Sequence, residues 1–227
     1  MRPLAAALAA LLGGTAWALG VPDYAALHAR LLAGETAADL EDALPGLARN
    51  LEAARRVSAA EWTDSVVRDE LAGGDILPPQ VLAGLGIPPT VSSGVAHVPA
   101  GVMHTYGYLF SQLKTAYGLK GRRWTQSRLD ERLGLAPGMF SPRPPRGEFT
   151  ANVTKALRSL IRKGRGGRLE EAVLWRTPEG REVGGTVFTH LFPLKPLPGL
   201  EAETHLLVYE LQMKGRRRLV TAFPVSA

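Results

Sequence analysis

The chain reads as an α+β protein, with an N-terminal helical layer followed by a helix packed on a C-terminal four-stranded antiparallel sheet. Three features predict this. Before residue 72, apolar residues recur at helical spacing, as in Tyr24, Leu27, Leu31 and Leu32. Residues 148–163 carry the clearest amphipathic stripe, formed by Phe149, Val153, Leu157, Leu160 and Ile161. From Leu169 onward the chain breaks into short runs rich in β-branched and aromatic residues, separated by turn chemistry.

The first element is a leader. Arg2 supplies a positive start, Leu4–Leu12 an apolar run, and Ala16-Trp17-Ala18 a small-x-small cleavage pattern. Residues 1–18 are therefore expected to be a signal peptide, which makes the mature protein periplasmic or extracellular. An uncleaved anchor is the rival reading, but Leu4–Val21 is Ala- and Gly-rich and marginal against the ~20 apolar residues a span needs. No later apolar run is long enough to cross a bilayer. The chain has no cysteine, so disulfides, zinc–thiolate sites and cysteine nucleophiles are excluded.

Residues 19–100 form the helical region plus a Pro/Gly-rich loop. Three helices are expected over 22–72. Asp23 sits in the first turn of the first, and Thr36–Asp39 and Ser58–Glu61 have the spacing of capping boxes. Pro45 should divide the second helix. The third should bury Trp62, Val66 and Leu71 and stop at Gly73-Gly74. Residues 74–101, rich in Pro, Gly and Ser, read as a long surface segment pinned by Val91, Val95, Val98 and Val102.

Residues 101–227 form the α+β domain, which opens on a stretch from His104 to Leu135 crowded with rings. Tyr106, Tyr108 and Phe110 fit a strand, while Tyr106, Phe110 and Leu113 fit a helix, and period alone does not choose. A turn is expected between Gly118 and Gly121, then a short helix from Ser127 to Gly134. The helix over 148–163 follows, with Glu148 at its positive end, Arg162, Lys163 and Arg165 at its negative end, and Gly164 able to take the left-handed cap. Strands are expected at 169–176, 182–192, 203–213 and 217–225. The first pair turns at Thr177–Gly180 and the last at Lys214-Gly215. A three-residue loop at 214–216 would place Leu211 opposite Leu219, Tyr209 opposite Thr221 and Leu207 opposite Phe223. That register keeps His205, Arg217 and Thr221 on one face.

Charge divides the chain more sharply than its total suggests. Residues 19–100 carry −6, residues 101–168 carry +11, and residues 169–227 are balanced, which with Arg2 gives the overall +6. Arg122, Arg123 and Arg128 stand beside Tyr117 and Trp124. Lys155, Arg158 and Arg162 recur at i, i+3 and i+7 on one helical face. Cations beside rings are the composition of a polyanion surface, so an anionic polymer, either cell-envelope polymer or nucleic acid, is the expected partner. A small-molecule module built on the aromatics of 106–124 is a third class.

There is no HExxH, GxSxG, P-loop or paired metal-ligand spacing, so neither a metal nor a cofactor is expected. His190 and His205 fall on consecutive strands. With Arg217 and Thr221 on one sheet face they would suit metal-independent RNA cleavage. One imidazole would activate the 2′-hydroxyl, the other protonate the leaving oxygen, and the guanidinium stabilise the phosphorane. The closing run from Arg218 to Val225, RLVTAFPV, resembles the last strand of the barnase-like and EndoU-like metal-independent ribonuclease toxins, a resemblance covering about residues 147–227. It implies helices ahead of a four-stranded sheet with the active site on the sheet face, and a leader fits a secreted toxin.

Overall fold

A computed structural model describes residues 21–69, 72–92, 94–115, 118–144, 146–164, 166–176 and 180–226. The expected leader, Leu71, Tyr117, Arg165 and Thr177–Glu179 lie outside the described residues. The α+β architecture holds. Helix α1 (Tyr24–Leu32) begins where the Asp23 carboxylate accepts the free amides of Ala25 and Ala26. At Thr36 only half the capping box forms. The amide and hydroxyl of Thr36 both donate to the Asp39 carboxylate, and a short 3-10 turn, Asp39–Asp42, follows. Pro45 does divide the helical run, and α2 (Leu47–Glu61) starts immediately after Gly46.

The third expected helix does not exist. Ser58 is not a cap but a buried residue in the last turn of α2, and Trp62 leaves the helix in extended conformation. The cause is tertiary. The Thr63 amide donates to Leu219 O at 2.8 Å, so the chain joins the edge of the C-terminal sheet. It continues as strand β1 (Asp64–Val66). The Pro/Gly-rich segment is also more structured than its composition suggests. It holds α3 (Pro79–Gly84), with Pro79 at the first helical position, and the hairpin β2 (Thr90–Ser92) and β3 (Val95–Pro99). Strands β1, β3 and β2 form a small antiparallel sheet in that order. Val98 and Val102 are buried as expected, whereas Val91 and Val95 are exposed.

The ring-rich stretch is helical. Helix α4 covers residues 100–110, and its middle, Met103–Gly107, is wound as a π-helix. It buries Tyr106 and Phe110. Short helices α5 (Lys120–Thr125) and α6 (Leu129–Arg132) follow. Helix α7 (Phe149–Lys163) is capped as its sequence dictates. Glu148 accepts from the Thr150 and Ala151 amides at 2.8 Å each, and Gly164 ends it at φ 60°.

Strands β4 (Gly167–Arg176), β5 (Glu182–Pro193), β6 (His205–Met213) and β7 (Arg216–Val225) make an antiparallel meander in the order β7-β6-β5-β4. Helix α7 covers one face. Val153, Leu157 and Leu160 share a core with Phe192, Leu206, Val208, Leu219 and Ala222. The same core reaches back to Tyr24 and Leu47, so residues from both sides of position 100 are packed together.

The last hairpin differs from the expected register in an instructive way. Its loop has two residues, Lys214 at φ 47° and Gly215 at φ 75°, the left-handed pair that suits the twist of a hairpin. Leu211 therefore faces Arg218 rather than Leu219. A bulge then inserts Val220, which restores Tyr209 opposite Thr221 and Leu207 opposite Phe223. Two of the three expected pairs survive, but everything between the turn and the bulge changes face.

Candidate functional site

The registers of the two sheet pairings separate the residues expected to act together. His190 lies opposite Val208 and His205 opposite Pro193, three residues apart along β6 and so on opposite faces of the sheet. His190 and Arg217 are on the face that meets α7, while His205 and Thr221 are on the other. His205 takes a local contact with the Thr204 hydroxyl at 2.9 Å. Thr221 lies within hydrogen-bond reach of the Tyr108 hydroxyl. The expectation that these four share a site is corrected. Two imidazoles with a sheet between them cannot act as acid and base on one phosphate.

On the α7 face a different constellation forms around Glu210, which is 1% exposed. His190 Nε2 lies 2.9 Å from Glu210 Oε2, and Arg158 Nη1 meets Glu210 Oε1. Arg158 also donates from Nε to Glu61 Oε2 at 3.0 Å and from Nη2 to Arg217 O at 3.2 Å. Burial would raise the Glu210 carboxyl, but the His190 hydrogen bond and the positive charge of Arg158 outweigh it and hold it below the usual carboxylate range. Nearby, the Phe188 ring is flanked by two guanidiniums, Arg217 at 3.9 Å and Arg168 at 4.5 Å from its centroid. The cluster is an electrostatic clamp around a buried carboxylate. His190 is buried, and Arg158, expected to be a free anion ligand, is occupied by two carboxylates.

The other expected cations are placed as follows. Lys155 and Arg162 are exposed on α7, on either side of the neutralised Arg158. Arg122 is exposed on α5. Arg123 is half-buried with its guanidinium 5.6 Å from the Phe223 centroid. Arg128, the left-handed residue before α6, is paired with Glu131. Arg122 and Arg123 line a shallow groove of about 270 Å³ together with Glu203, whose carboxylate already meets Ser127 and Arg132.

A more strongly cationic groove lies at the β6–β7 turn. It encloses about 420 Å³ between Thr63, Leu211, Met213, Lys214, Arg216 and Arg218, and its three charged side chains are all positive. Arg218 is anchored by a 3.2 Å bond to Trp62 O. Because Arg158 bonds the carbonyl of Arg217, the cationic face of α7 abuts this same turn. Sequence reasoning missed the groove. The signal was present in Lys214-Gly-Arg-Arg-Arg218, four cations around a hairpin glycine.

The ring-rich stretch holds one further polar anomaly. His104, in the π-helical turn, stacks on Tyr108 at 5.0 Å and meets the Trp62 ring edge-on at 5.7 Å. Its Nδ1 has no hydrogen-bond partner. Burial, with the Lys120 charge second, pushes the imidazole down to about 3, so it is neutral. Burial also pushes the Tyr108 phenol up to about 12, and Lys120 sits 4.6 Å over that ring while pairing with Asp69 at 2.7 Å.

Among the described residues no group of three or more His, Asp or Glu side chains is arranged to hold a metal. No helix among them is long and apolar enough to cross a membrane. No protein-family model, curated protein or solved structure matches the chain.

Proposed function

We propose that this is an exported protein that binds a polyanion through the cationic groove at the β6–β7 turn. The observation that carries the reading is the groove's composition: Lys214, Arg216 and Arg218 line it without an opposing carboxylate. A repeating anion gains from each cation it meets by releasing condensed counterions, and a hairpin tip presents those cations with little steric hindrance. Arg217, Lys155 and Arg162 extend the positive surface over the adjoining α7 face. The paired Arg158 gives that surface rigidity rather than charge. Export rests on the leader pattern in residues 1–18.

Both halves are testable. Binding of a fluorescein-labelled single-stranded RNA and of heparin, followed by anisotropy and competition across a salt series, should weaken as salt rises. Lys214→Ala and Arg216→Ala should each flatten the logarithmic RNA salt slope by about 0.7. Salt-independent binding, or slopes unchanged in both variants, would overturn the groove. For export, N-terminal sequencing of protein recovered from its native host should begin at Leu19, and a sequence retaining residues before it would refute cleavage after Ala18.

A further inference from the structure

Away from the sheet, a cavity of about 520 Å³ lies between the Asp39–Asp42 turn, the start of α2 and residues 142–147. That volume suits a small molecule. Leu44, Leu47 and the rings of Pro45, Pro142 and Pro144 give it an apolar wall.

The charged groups around it divide by whether they are already used. The acids are spent. Asp42 accepts two bonds from Arg30 Nη1, at 3.0 and 3.2 Å, and these hold its carboxyl below the usual carboxylate range. Glu41 accepts the amides of Gly46 and Ala48 at the start of α2. Glu148 caps α7 and also accepts the hydroxyl of Tyr106, a lining residue, at 3.3 Å.

The cations are not spent. Arg143 is half-buried and donates from Nη2 to Ala43 O, but among the described residues it pairs with no carboxylate. Its Nε is buried without an acceptor, so the protein itself leaves the guanidinium charge uncompensated. Arg49 is exposed and Asn50 half-buried, and among the described residues neither side chain has a polar partner. Their donors converge, with Arg49 Nη2 and Asn50 Nδ2 lying 3.3 and 3.7 Å from the point a Cβ on Gly46 would occupy. A half-buried charge without a counter-charge has lost hydration and recovered nothing for it, and an incoming anion would supply the missing partner.

We infer that this cavity binds a small organic anion. Its carboxylate or similar group is held by Arg143, Arg49 and the Asn50 amide, and its apolar body lies against Leu44, Leu47 and the prolines. A cation would meet two uncompensated guanidiniums, and a neutral apolar ligand would leave both unpaired. The site is separate from the groove at the β6–β7 turn and shares no residue with it.

The test titrates the full mature chain calorimetrically with 2-naphthoate and, in parallel, with the neutral 2-naphthamide of nearly the same shape. One-to-one binding of 2-naphthoate is expected, about tenfold tighter than 2-naphthamide. Arg143→Gln should weaken 2-naphthoate about tenfold and the more exposed Arg49→Gln about threefold, with 2-naphthamide unaffected. The Lys214→Ala/Arg216→Ala double variant should bind 2-naphthoate as wild type does. Circular dichroism melts establish that each variant is folded, and Arg49→Gln, altered at an exposed side chain, decides the matter should Arg143→Gln not fold. The proposal is overturned by an absence of saturable 2-naphthoate binding, by equal affinity for 2-naphthamide, or by wild-type affinity in either folded arginine variant. Loss of 2-naphthoate binding in the Lys214→Ala/Arg216→Ala variant would place the anion in the groove and overturn it as well.

Discussion

Replacing Glu210 by Gln probes the most committed electrostatic feature of the fold. The carboxylate is 1% exposed and is held by Arg158 at one oxygen and by His190 Nε2 at the other, 2.9 Å away. Glutamine fills the same space and can still hydrogen-bond both neighbours, so the loss is that of charge alone. Hydrogen bonds to charged groups contribute ~1.5–3 kcal/mol and neutral ones ~0.5–1.5 kcal/mol. Two such bonds therefore lose about 2 kcal/mol together. The loss stays below the ~3–5 kcal/mol of breaking a buried pair outright, because Arg158 keeps Glu61 at 3.0 Å. Glu210→Ala, which also opens a cavity, should cost about 4 kcal/mol. In urea unfolding with a slope of ~2 kcal/mol/M, Glu210→Gln should lower the midpoint by about 1 M. The pH dependence has a definite sign. The folded carboxyl lies below the unfolded value of ~4.3, so its contribution is complete above that value. It is lost as pH falls through the folded value, and wild type and Glu210→Gln should converge in acid. Equal stability at pH 7, or a gap that persists undiminished at pH 3, would refute the clamp.

Three further perturbations test other parts of the molecule. His104 is neutral in the fold with its imidazole near 3, so stability present above the unfolded value of ~6.5 is lost as pH falls, by about 2 kcal/mol at pH 5 relative to pH 7.5. His104→Phe keeps the stack on Tyr108 and should remove that pH-dependent loss, read from denaturation midpoints at the two pH values; an unchanged dependence would assign it to other groups. Gly166→Ala would drive a methyl into the Leu191 carbonyl, whose carbon lies 2.9 Å from the new Cβ position. Backbone cannot yield as a side chain can, so a loss of about 2–3 kcal/mol is expected, and a thermal melt matching wild type would contradict the close approach. Glu148→Ala removes two helix-capping bonds of 2.8 Å and should cost about 2 kcal/mol, measurable in the same urea titration.

Much of the architecture was legible because local chemistry and tertiary demand agree. The α7 stripe, its Glu148 cap and its Gly164 stop are each written in residues whose intrinsic preference matches their final environment, and β-branched and aromatic runs mark the four strands even where their faces do not follow. The third N-terminal helix failed for the opposite reason. Its helical spacing is real, but Trp62 and Thr63 gain more by pairing with the edge of β7, a partner 156 residues away along the chain. No local pattern carries that information.

The site was misread through two registers: the β5–β6 pairing sets His190 opposite Val208, an odd number of residues from His205, and the two-residue turn moves Arg217 to the α7 face while the Val220 bulge leaves Thr221 on the other. The turn at Lys214-Gly215 demands two residues, while the pairs Leu207–Phe223 and Tyr209–Thr221 demand an odd count, and a bulge satisfies both. The choice of face was misled further by which side looked apolar. Leu207, Tyr209 and Leu211 suggest the buried row, yet α7 covers Leu206, Val208 and Glu210. A glutamate in that row disguises it as the solvent side unless its partners, Arg158 on the helix and His190 on the next strand, are already known to converge there. Period-two alternation reports burial only when the buried face is apolar. Where a charged clamp is built into that face, the alternation inverts, and every residue assigned by it moves to the wrong side. The two-residue turn that moves Arg217 to the α7 face leaves Arg216 and Arg218 on the face away from it, where they line the cationic groove with Lys214.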